Sequence, residues 1–526
     1  MADIEVAPEV ADIVIIGAGL SGIGAAGYVT KAFPRKKVVI LEARSDIGGT
    51  WDLFRYPGVR SDSDLYTYGF DFKPWRSDHA IADGHLIKEY LQEAVDENDL
   101  RGLIRIRHEV VAAGWSSEEA LWTLRIRAGG DDGGTSDRII KTPWVLGATG
   151  YYRYDKGYTP DFEGRDDFAG DVVHPQHWPE DYDYSGKRVV VIGSGATAVT
   201  LIPAMAGGSG AAAHVTMLQR TPTYVMALPR VDGIALLLSR FFGAERGYAL
   251  TRRKNAWLDQ SLVKLLQTFP RAGRRFLRSY TKKALPAGFD VDTHFNPPYD
   301  PWDQRLCACP DGDFFTAIGE GRASVVTDRI ARLTKSGILL ESGRELEADL
   351  IVTATGLNMR LFGGIPQTVD GKRVVPAETV TYRGMLFSGV PNWATLLGYT
   401  KSSSWTLKVG LTSRYVVDLM RHMQTHGHDI AVPVAPQGLA TEDLFDLSSG
   451  YMTRSMSEFP RQGKELPWRL LTSYRQDSKL LKEQLFDEHL HFSCRTGPRR
   501  DADGPAPKQS RARRVAAGSD TVGARS

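Results

Sequence analysis

Ile13-Val14-Ile15-Ile16-Gly17-Ala18-Gly19-Leu20-Ser21-Gly22 is the stretch that decides the fold, and its pattern returns at Val189-Val190-Val191-Ile192-Gly193-Ser194-Gly195-Ala196-Thr197-Ala198. In each copy a run of β-branched residues, typical of a buried strand, leads directly into a glycine-rich turn. The first glycine allows the tight bend, the second lets a pyrophosphate approach the backbone, and the third position packs helix on strand. A chance GxGxxG in a glycine-rich chain is the alternative. The strand context predicts an α/β fold with two dinucleotide-binding, Rossmann-like domains.

These two fingerprints differ at the position that selects the nucleotide. Glu42 follows the apolar run Val38-Val39-Ile40-Leu41, twenty residues beyond Gly22, where a carboxylate binds the ribose hydroxyls of FAD or NAD. After the second fingerprint the corresponding run leads into Gln219-Arg220-Thr221, so a cation and a hydroxyl replace the carboxylate. This exchange is typical of a site for the 2′-phosphate of NADP. A solvated surface arginine is the alternative interpretation of Arg220.

Further glycine-rich stretches indicate where the backbone passes close to a large planar ligand. Gly48-Gly49-Thr50-Trp51-Asp52-Leu53 follows the first nucleotide unit and leads on to Arg60-Ser61-Asp62. Gly147-Ala148-Thr149-Gly150 and Ala354-Thr355-Gly356 each end an apolar run. We expect these last two stretches to be crossings between two nucleotide domains.

The longest motif lies between the two fingerprints. It reads Phe168-Ala169-Gly170-Asp171-Val172-Val173-His174-Pro175-Gln176-His177-Trp178-Pro179 and matches the pattern FxGxxxHxxxWP at every defined position. By this motif the sequence resembles the Baeyer-Villiger type of class B flavoprotein monooxygenases. Other long matches begin at Gly48, Gly193, Leu218, Pro297 and Ser403, and the resemblance extends from about Ala11 to about Leu490.

This resemblance implies two cofactors, FAD at the first fingerprint and NADPH at the second. It also implies a reaction with dioxygen through a C4a-peroxyflavin, which converts ketones to esters or lactones and oxidises the sulfur of thioethers or thioamides. Arg305 matches the family's active-site arginine, which stabilises the peroxide, and Asp62 matches the aspartate that positions that arginine. An always-charged arginine suits this task better than lysine, which loses its proton more readily when buried.

Carried over residue by residue, the resemblance and the fingerprints together predict a set of cofactor-binding residues. They are Gly17, Gly19, Ser21, Gly22, Glu42, Gly49, Thr50, Trp51, Asp52, Leu53, Arg60, Ser61, Asp62, Val110, Gly193, Ser194, Gly195, Ala196, Thr197, Ala198, Val199, Arg220 and Thr221. No metal site is predicted. Ser61 and Asp64 depart from the cysteine and glutamate that many members of the family have there, and one branch of the family shares both departures.

Domain organisation follows from the order of these motifs. An alternating pattern at Trp122, Leu124 and Ile126 predicts a hairpin from about His108 to Arg127 within the first domain. The predicted segments are a first part of the FAD-binding domain at 1–145, a first part of the NADP-binding domain at 146–224, a helical insertion at 225–322, a second NADP part at 323–383, a second FAD part at 384–495 and a disordered tail at 496–526.

The helical insertion is both basic and rich in apolar residues. Ile234 to Phe242 is strongly apolar, and Trp257-Leu258 and Leu265-Leu266 recur at helical spacing among lysines and arginines. A basic amphipathic helix can lie on a membrane surface. A helical subdomain that caps the cleft is the alternative. The expected location of the protein is the cytoplasm. Whether the insertion contacts the inner face of the membrane, and whether the protein forms an oligomer, are open questions.

Composition narrows the function classes. With 526 residues, 42% of them hydrophobic, the chain can bury more than one core, and a net charge of +2 argues against nucleic acid as a partner. The N-terminus lacks the apolar region of a signal peptide, and no apolar stretch is long enough to span a bilayer. The expected partners are a small ketone or organosulfur substrate and dioxygen.

The sequence bears on three alternatives to a ketone-oxidising monooxygenase. A flavin disulfide reductase needs a redox pair such as CxxC near its flavin, and Cys307-Ala308-Cys309 has neither the spacing nor the placement. A class B monooxygenase acting chiefly on sulfur or nitrogen remains open. So does an NADPH-binding flavoprotein sensor that performs no productive oxygenation.

Overall fold

The strand predicted ahead of the first fingerprint, Ile13–Ile16, is the middle strand of a five-stranded parallel sheet, the first sheet. The protein is described by a computed structural model over residues 8–130, 133–304, 306–398, 404–445, 450–483 and 486–497. In spatial order the strands of the first sheet are Trp393–Thr395, Val145–Gly147, Ile13–Ile16, Val38–Leu41 and Ile104–Arg105.

The strand ahead of the second fingerprint holds the same position in a second sheet. Arg188–Ile192 is the middle of five parallel strands. In spatial order they are Ala323–Thr327, His214–Gln219, Arg188–Ile192, Leu350–Thr353 and Asp171–Val173. Each fingerprint therefore lies at the carboxyl end of a central strand, where open α/β sheets bind their ligands. The predicted fold class is confirmed.

Both central strands are apolar because both faces of each sheet are covered. Ile13 and Ile15 belong to one apolar cluster and Val14 and Ile16 to another, as the alternation of side chains along a strand requires. In the second sheet Val189 and Val191 likewise separate from Val190 and Ile192. Full burial of such a side chain contributes about 1.5–3 kcal/mol.

A six-stranded sheet packs beside the first sheet and contains the predicted hairpin. His108–Ser116 and Leu121–Gly129 pair antiparallel, and Trp122, Leu124 and Ile126 are buried. In spatial order the sheet comprises Glu9–Val10, Thr135–Thr142, Leu121–Gly129, His108–Ser116, Gln367–Val369 and Lys372–Arg373. Trp122 also meets Trp393 of the first sheet edge-to-face, with ring centroids 5.0 Å apart, so the two sheets share one core.

Smaller ladders complete the strands. Ile330–Leu333, Gly337–Leu340 and Glu345–Glu347 form an antiparallel meander, and the two-stranded pairs are Val225–Leu228 with Cys307–Pro310, Thr381–Tyr382 with Leu386–Phe387, Ile430–Pro433 with Leu490–Ser493, and Thr441–Asp443 with Arg461–Gly463.

Helices surround the sheets. The α-helices are Leu20–Ala32, Thr50–Leu53, Leu65–Tyr68, Gly84–Glu97, Ala196–Met205, Gly233–Phe242, Ala244–Thr268, Pro270–Ala284, Val291–His294, Asp313–Gly319, Trp405–His426, Gly450–Thr453 and Tyr474–Glu483. Short 3₁₀ turns are Arg101–Leu103, Arg165–Asp167, Pro175–His177, Leu361–Gly364, Pro376–Glu378 and Met456–Glu458. Within the described ranges, no helix is both long and apolar enough to cross a bilayer.

Three of these helices, Gly233–Phe242, Ala244–Thr268 and Pro270–Ala284, form the part of the predicted insertion that showed helical periodicity. Arg252 fastens the middle helix to the rest of the chain, because its Nη1 donates to the backbone oxygens of Tyr66, Thr67 and Gly69 at 2.7 to 3.0 Å. These carbonyls end the helix Leu65–Tyr68, where a cation is favourable.

The domain boundaries stay predictions, and three observations bear on them. Strand Val145–Gly147 belongs to the first sheet although the predicted boundary is at 145. The chain returns to the six-stranded sheet at Gln367–Val369, before the predicted boundary at 383. Gly497 donates its N–H to the Glu118 oxygen at 2.9 Å, whereas the rest of the predicted tail, from 498 on, lies outside the described residues.

Candidate active site

A cavity of about 650 Å³ opens at the carboxyl ends of the first sheet. Its wall contains Gly17 after the central strand, Glu42 after the neighbouring strand, and Ala148 after the strand on the other side. Ala196 and Thr197, at the start of the helix of the second fingerprint, lie on the same wall. One cavity therefore touches both nucleotide units.

The first fingerprint has the close approaches that a pyrophosphate site needs. Gly17 adopts a φ of +105°, and a Cβ there would lie 2.6 Å from the Ala148 oxygen. A Cβ on Gly22 would lie 1.8 Å from the Gly17 oxygen, so neither position tolerates a side chain. The helix Leu20–Ala32 begins at Gly19 with no side-chain cap, which leaves its first N–H groups for an anion. These features fit a dinucleotide.

Glu42 is buried beside this turn. One carboxylate oxygen accepts a hydrogen bond from the Ala18 N–H at 2.7 Å, and the other accepts one from the Arg44 N–H at 2.9 Å. Burial raises the pKa of Glu42, although both N–H donors oppose that rise by favouring the carboxylate. The position is that of the ribose-binding carboxylate predicted from the sequence.

In the loop that follows Gly48, some residues line the cavity and others hold the loop in place. Gly49, Thr50 and Trp51 lie on the cavity wall, whereas Asp52 and Leu53 do not. Asp52 is buried and accepts hydrogen bonds of 2.6 Å from Arg44 and from Lys88. Burial alone would raise the pKa of Asp52, but the hydrogen bonds from Lys88 and Arg44 outweigh burial and lower it. Asp52 therefore holds the loop in place.

The segment Arg60-Ser61-Asp62 also lies on the cavity wall. Ser61 is locked to Ala82, since its N–H donates to the Ala82 oxygen at 2.9 Å and its Oγ accepts from the Ala82 N–H at 3.2 Å. The Asp62 side chain is exposed and accepts a hydrogen bond of 3.3 Å from the Ser63 hydroxyl. Arg60 forms an ion pair with Asp313.

The second fingerprint has the same local construction. The Gly193 N–H donates to the Leu218 oxygen at 2.8 Å, and the Ser194 hydroxyl donates to the Thr221 oxygen at 3.0 Å. The helix Ala196–Met205 starts at Gly195 without a side-chain cap or an acidic residue in its first turn. Arg220 is exposed after the strand His214–Gln219, where a cofactor phosphate could reach it.

The cavity wall contains about half of the predicted cofactor residues: Gly17, Gly19, Ser21, Glu42, Gly49, Thr50, Trp51, Arg60, Ser61, Asp62, Val110, Ala196 and Thr197. Among the described residues, those predicted but not on this wall are Gly22, Asp52, Leu53, Gly193, Ser194, Gly195, Ala198, Val199, Arg220 and Thr221. Arg305 lies outside the described residues. No cluster suited to a metal ion occurs within the described ranges.

The motif between the fingerprints, from Phe168 to Pro179, contacts the glycine-rich stretch Ala354-Thr355-Gly356. His174 Nε2 is 3.1 Å from the Gly356 oxygen, and its Nδ1 accepts a hydrogen bond of 3.1 Å from the Gln176 N–H. With Nδ1 accepting, Nε2 donates to Gly356, so the imidazole is neutral, and burial lowers the pKa of His174 accordingly. Both ring nitrogens thus bind backbone, which favours a structural role.

Sequence reasoning missed three residues: Tyr56 and Trp405 lie on the cavity wall, and Asp313 pairs with Arg60 of that wall. Tyr56 is buried in one apolar cluster with Ala198 and Val199 of the second fingerprint, and burial raises the pKa of Tyr56 to about 12. Trp405 donates its indole N–H to the Ser21 hydroxyl at 2.8 Å. Tyr56 and Trp405 stand in motifs shared with the family, which was the available signal. Asp313 carries no such signal.

Comparison with known proteins agrees with this geometry. Residues 15–76 match the model of the NAD(P)-binding Rossmann-like domain. The FAD-containing monooxygenase EthA of Mycolicibacterium smegmatis is 47% identical over 485 residues, which cover 92% of this chain and 97% of that protein. The putative FAD-containing monooxygenase MymA of Mycobacterium tuberculosis is 48% identical over 487 residues, with 92% and 97% covered.

Two solved structures have a similar fold. An oxidised steroid monooxygenase bound to NADP superposes with a TM-score of 0.72 at 22% identity, covering 92% of this chain and 100% of that one. An open crystal structure of cyclohexanone monooxygenase gives a TM-score of 0.71 at 20% identity, again over 92% and 100%. At 22% and 20% identity, this similarity shows that the fold is shared.

Proposed function

This chain belongs to the FAD-containing monooxygenases typified by EthA and MymA, and we propose from this membership that it uses NADPH and dioxygen to oxygenate a small ketone or organosulfur compound. One oxygen atom enters the substrate and the other leaves as water, with NADPH supplying the two electrons. The family assignment from the motifs is confirmed. The long motifs that begin at Gly48, Gly193, Leu218, Pro297 and Ser403 also resemble the ethionamide-activating monooxygenase in particular, and the 47% identity to EthA confirms this narrower resemblance. The observation that carries the proposal is one cavity touching both nucleotide fingerprints.

Residues of the first unit would hold FAD. Gly17 and Gly19 give the pyrophosphate access to the helix N-terminus, and the Glu42 carboxylate faces the ribose position. When bound and reduced, FAD supplies the activation of dioxygen. The protein's own contribution is to orient the reactants and to exclude water from the cavity.

NADPH is the proposed reductant because of the second unit. Arg220 and Thr221 stand where a 2′-phosphate would lie, in place of a ribose-binding carboxylate. The solved steroid monooxygenase of the same fold is one bound to NADP. Tyr56, on the flavin-side loop, is buried in one apolar cluster with Ala198 and Val199 of the second fingerprint, so the loop beside the first cofactor site packs against the second unit.

Arg305 and Asp62 have the proposed catalytic roles. A fixed guanidinium stabilises the negative charge that develops on a carbonyl oxygen when a nucleophile adds to it. Asp62 lies on the cavity wall, where its carboxylate can orient such a guanidinium. The aromatic residues Trp51, Tyr68 and Trp405 on the same wall favour a largely apolar substrate.

The test is to incubate the purified holoenzyme with NADPH, oxygen and either a small cyclic ketone or a thioether, and to identify the products. Ester or lactone supports the proposed reaction, and sulfoxide alone favours the sulfur-oxidising alternative. NADPH consumption that gives only hydrogen peroxide with both substrates favours the sensor.

Arg305→Ala tests the assigned arginine. We expect product formation to fall at least about 100-fold, the usual effect of removing one such electrostatic group, while FAD affinity is unchanged. Arg332→Ala, an exposed arginine that is not on the cavity wall, is the matched control. Product formation by Arg305→Ala at the parent rate would contradict the assignment.

Peripheral membrane contact is a second proposal, favoured by the surface of the helical insertion. Phe241 is 75% exposed and Trp257 63% exposed, and Leu265, Phe269 and Phe276 are each more than half exposed. Such a large exposed apolar surface marks an interaction site. Residues 233–284 contain twelve lysines and arginines but only two acidic residues, a net charge of +10. This charge selects an anionic lipid surface over an apolar protein partner.

Co-sedimentation with phosphatidylglycerol vesicles tests this contact. The double variant Phe241→Ser/Phe242→Ser should lose vesicle binding, and Val375→Ser, an exposed apolar residue elsewhere, should retain it. If neither the parent protein nor the control binds vesicles, while the double variant abolishes self-association, the surface serves an oligomer and the membrane proposal is wrong.

A further inference from the structure

Arg60, on the cavity wall, forms an ion pair with Asp313, which does not line the cavity and lies 253 residues away in sequence. Both terminal guanidinium nitrogens of Arg60 contact the two carboxylate oxygens of Asp313, the longer contact being 3.2 Å between Nη2 and Oδ1. The Arg60 side chain is 6% exposed and that of Asp313 is 30% exposed. A buried guanidinium without such a partner is strongly unfavourable. Asp313 therefore decides where the Arg60 charge is held.

Asp313 is itself held rigidly. It begins the helix Asp313–Gly319, and its Oδ1 accepts a hydrogen bond of 2.7 Å from the Phe314 N–H. Phe314 and Phe315, the next residues, are buried in the core of the second unit. The carboxylate that receives Arg60 thus belongs to the second nucleotide unit, whereas Arg60 belongs to the loop beside the first.

The strand before this helix contacts the second fingerprint. Cys307, at the start of the strand Cys307–Pro310, places its Sγ 4.0 Å from the Ser194 oxygen, and Ala308 lies on the cavity wall. The loop that carries Arg60 is packed against the same fingerprint, because Tyr56 is buried in one apolar cluster with Ala198 and Val199. Arg60 is therefore fastened on the side of the cavity where the second dinucleotide would lie.

Arg60 keeps unused hydrogen-bonding capacity. A guanidinium has five N–H donors, and a bidentate carboxylate uses two of them. Among the described residues, the Arg60 Nε has no acceptor. Because the Nε is buried, a cofactor oxygen would meet the remaining N–H groups of the two terminal nitrogens, and Arg60 lines the cavity proposed to hold the nucleotides.

We propose that Asp313 is a positioning residue for NADPH: it holds the Arg60 guanidinium at the cavity wall, where Arg60 binds an oxygen atom of the nicotinamide dinucleotide. This inference rests on the proposed function, in that it takes NADPH as the second cofactor. Because Asp313 acts through Arg60, removing either residue removes the same interaction.

Equilibrium binding of NADP⁺ to the FAD-loaded protein tests the proposal without turnover. Loss of one charge-assisted contact should weaken NADP⁺ binding about 10-fold in Asp313→Ala and equally in Arg60→Ala. The double variant Arg60→Ala/Asp313→Ala should be no weaker than either single variant, because the two residues form one unit. Asp313→Glu, which keeps the carboxylate, should restore most of the affinity.

Further measurements separate positioning from general damage to the fold. FAD affinity, measured by fluorescence titration of the apoprotein, should be unchanged in Asp313→Ala, and the KM for NADPH should rise more than kcat falls. Asp313→Asn, which keeps the side-chain shape, replaces the alanine variant if that variant unfolds. Asp349→Asn is the matched control, since Asp349 also binds an arginine, Arg188, but neither lies on the cavity wall.

Several results would overturn the proposal. They are unchanged NADP⁺ affinity in the single variants, additive losses in the double variant, or a loss of FAD affinity in place of NADP⁺ affinity. If the parent protein binds NADP⁺ but yields no oxygenated product, the proposed reaction fails while these binding results still decide the role of Asp313. If the parent protein does not bind NADP⁺, both proposals are wrong.

Discussion

The Glu42 carboxylate accepts a hydrogen bond of 2.7 Å from the backbone N–H of Ala18. Ala18 lies between Gly17 and Gly19 of the first fingerprint, so this bond ties the end of the strand Val38–Leu41 to the turn proposed to bind a pyrophosphate. One residue thereby both marks the ribose position and shapes the phosphate position. Loss of the Glu42 carboxylate should therefore affect both the ribose and the pyrophosphate part of the first nucleotide site.

We therefore expect Glu42→Gln to weaken FAD binding by about 10-fold or more, since hydrogen bonds to a charged group contribute about 1.5–3 kcal/mol. An amide has a single acceptor oxygen, so it cannot serve both the Ala18 and the Arg44 N–H groups. Fluorescence titration of the apoprotein with FAD measures the change. Glu93→Gln, an exposed glutamate on a helix, is the control, and an equal affinity in both variants would contradict the role of Glu42.

Arg220→Ala should raise the KM for NADPH about 10-fold to 100-fold, because a bidentate contact to the 2′-phosphate is lost. The KM for NADH, which has no 2′-phosphate, should change little. Steady-state kinetics with both cofactors give the ratio. An equal loss with NADPH and NADH would remove Arg220 from the phosphate site.

Asp259 should make stability depend on pH. Burial, together with the nearby Asp64, raises the pKa of Asp259 to about 7. The folded protein therefore keeps a proton that the unfolded chain releases near the ordinary aspartate value, and stability falls as pH rises between about 4 and 7. Asp259→Asn should raise Tm most at pH 8, less at pH 5, and leave it unchanged only near pH 4, where both the folded and the unfolded parent are protonated.

The control for that prediction is Asp292→Asn, an exposed aspartate whose pKa is lowered by Arg278. This variant should not gain stability at pH 8. Differential scanning fluorimetry from pH 4 to pH 8 measures both variants and the parent protein. A parallel Tm curve for Asp259→Asn and the parent would show that Asp259 does not titrate in this range.

Lys408 and Asp477 form an ion pair in which both side chains are almost completely buried. Burial lowers the pKa of Lys408 and raises that of Asp477, so each residue needs the other to stay charged. Asp477→Leu alone should destabilise the protein by about 3–5 kcal/mol because it leaves a buried charge unpaired. Lys408→Met/Asp477→Leu should recover most of the loss. Chemical denaturation followed by tryptophan fluorescence measures the free energy of unfolding of the parent and of both variants. A double variant less stable than Asp477→Leu would contradict the prediction.

Local patterns predicted the nucleotide units well because each pattern reflects a local cause. A run such as Val189–Ile192 is continuously apolar since both faces of its strand are covered, and the following glycines are required by backbone approach. The hairpin around Trp122 followed from simple alternation. None of these patterns depends on which segment, distant in sequence, packs against them in space.

The path of the chain between units was harder to predict. Gln367–Val369 joins the six-stranded sheet beside His108–Ser116, a parallel pairing across more than 250 residues. Its short strand carries no sequence signal that distinguishes one sheet edge from another. The predicted boundary at 383 was drawn from motif order, which does not report sheet membership.

The sequence by itself determined the α/β class, the two fingerprints and the family, because strand burial, glycine turns and long motifs are all written in neighbouring residues. Only the tertiary structure decided that Arg60 meets Asp313 and that Tyr56 packs with Val199 of the second fingerprint. These contacts join segments far apart in the chain, and their geometry arises from how the two sheets and their loops pack around one cavity. No local periodicity encodes that packing.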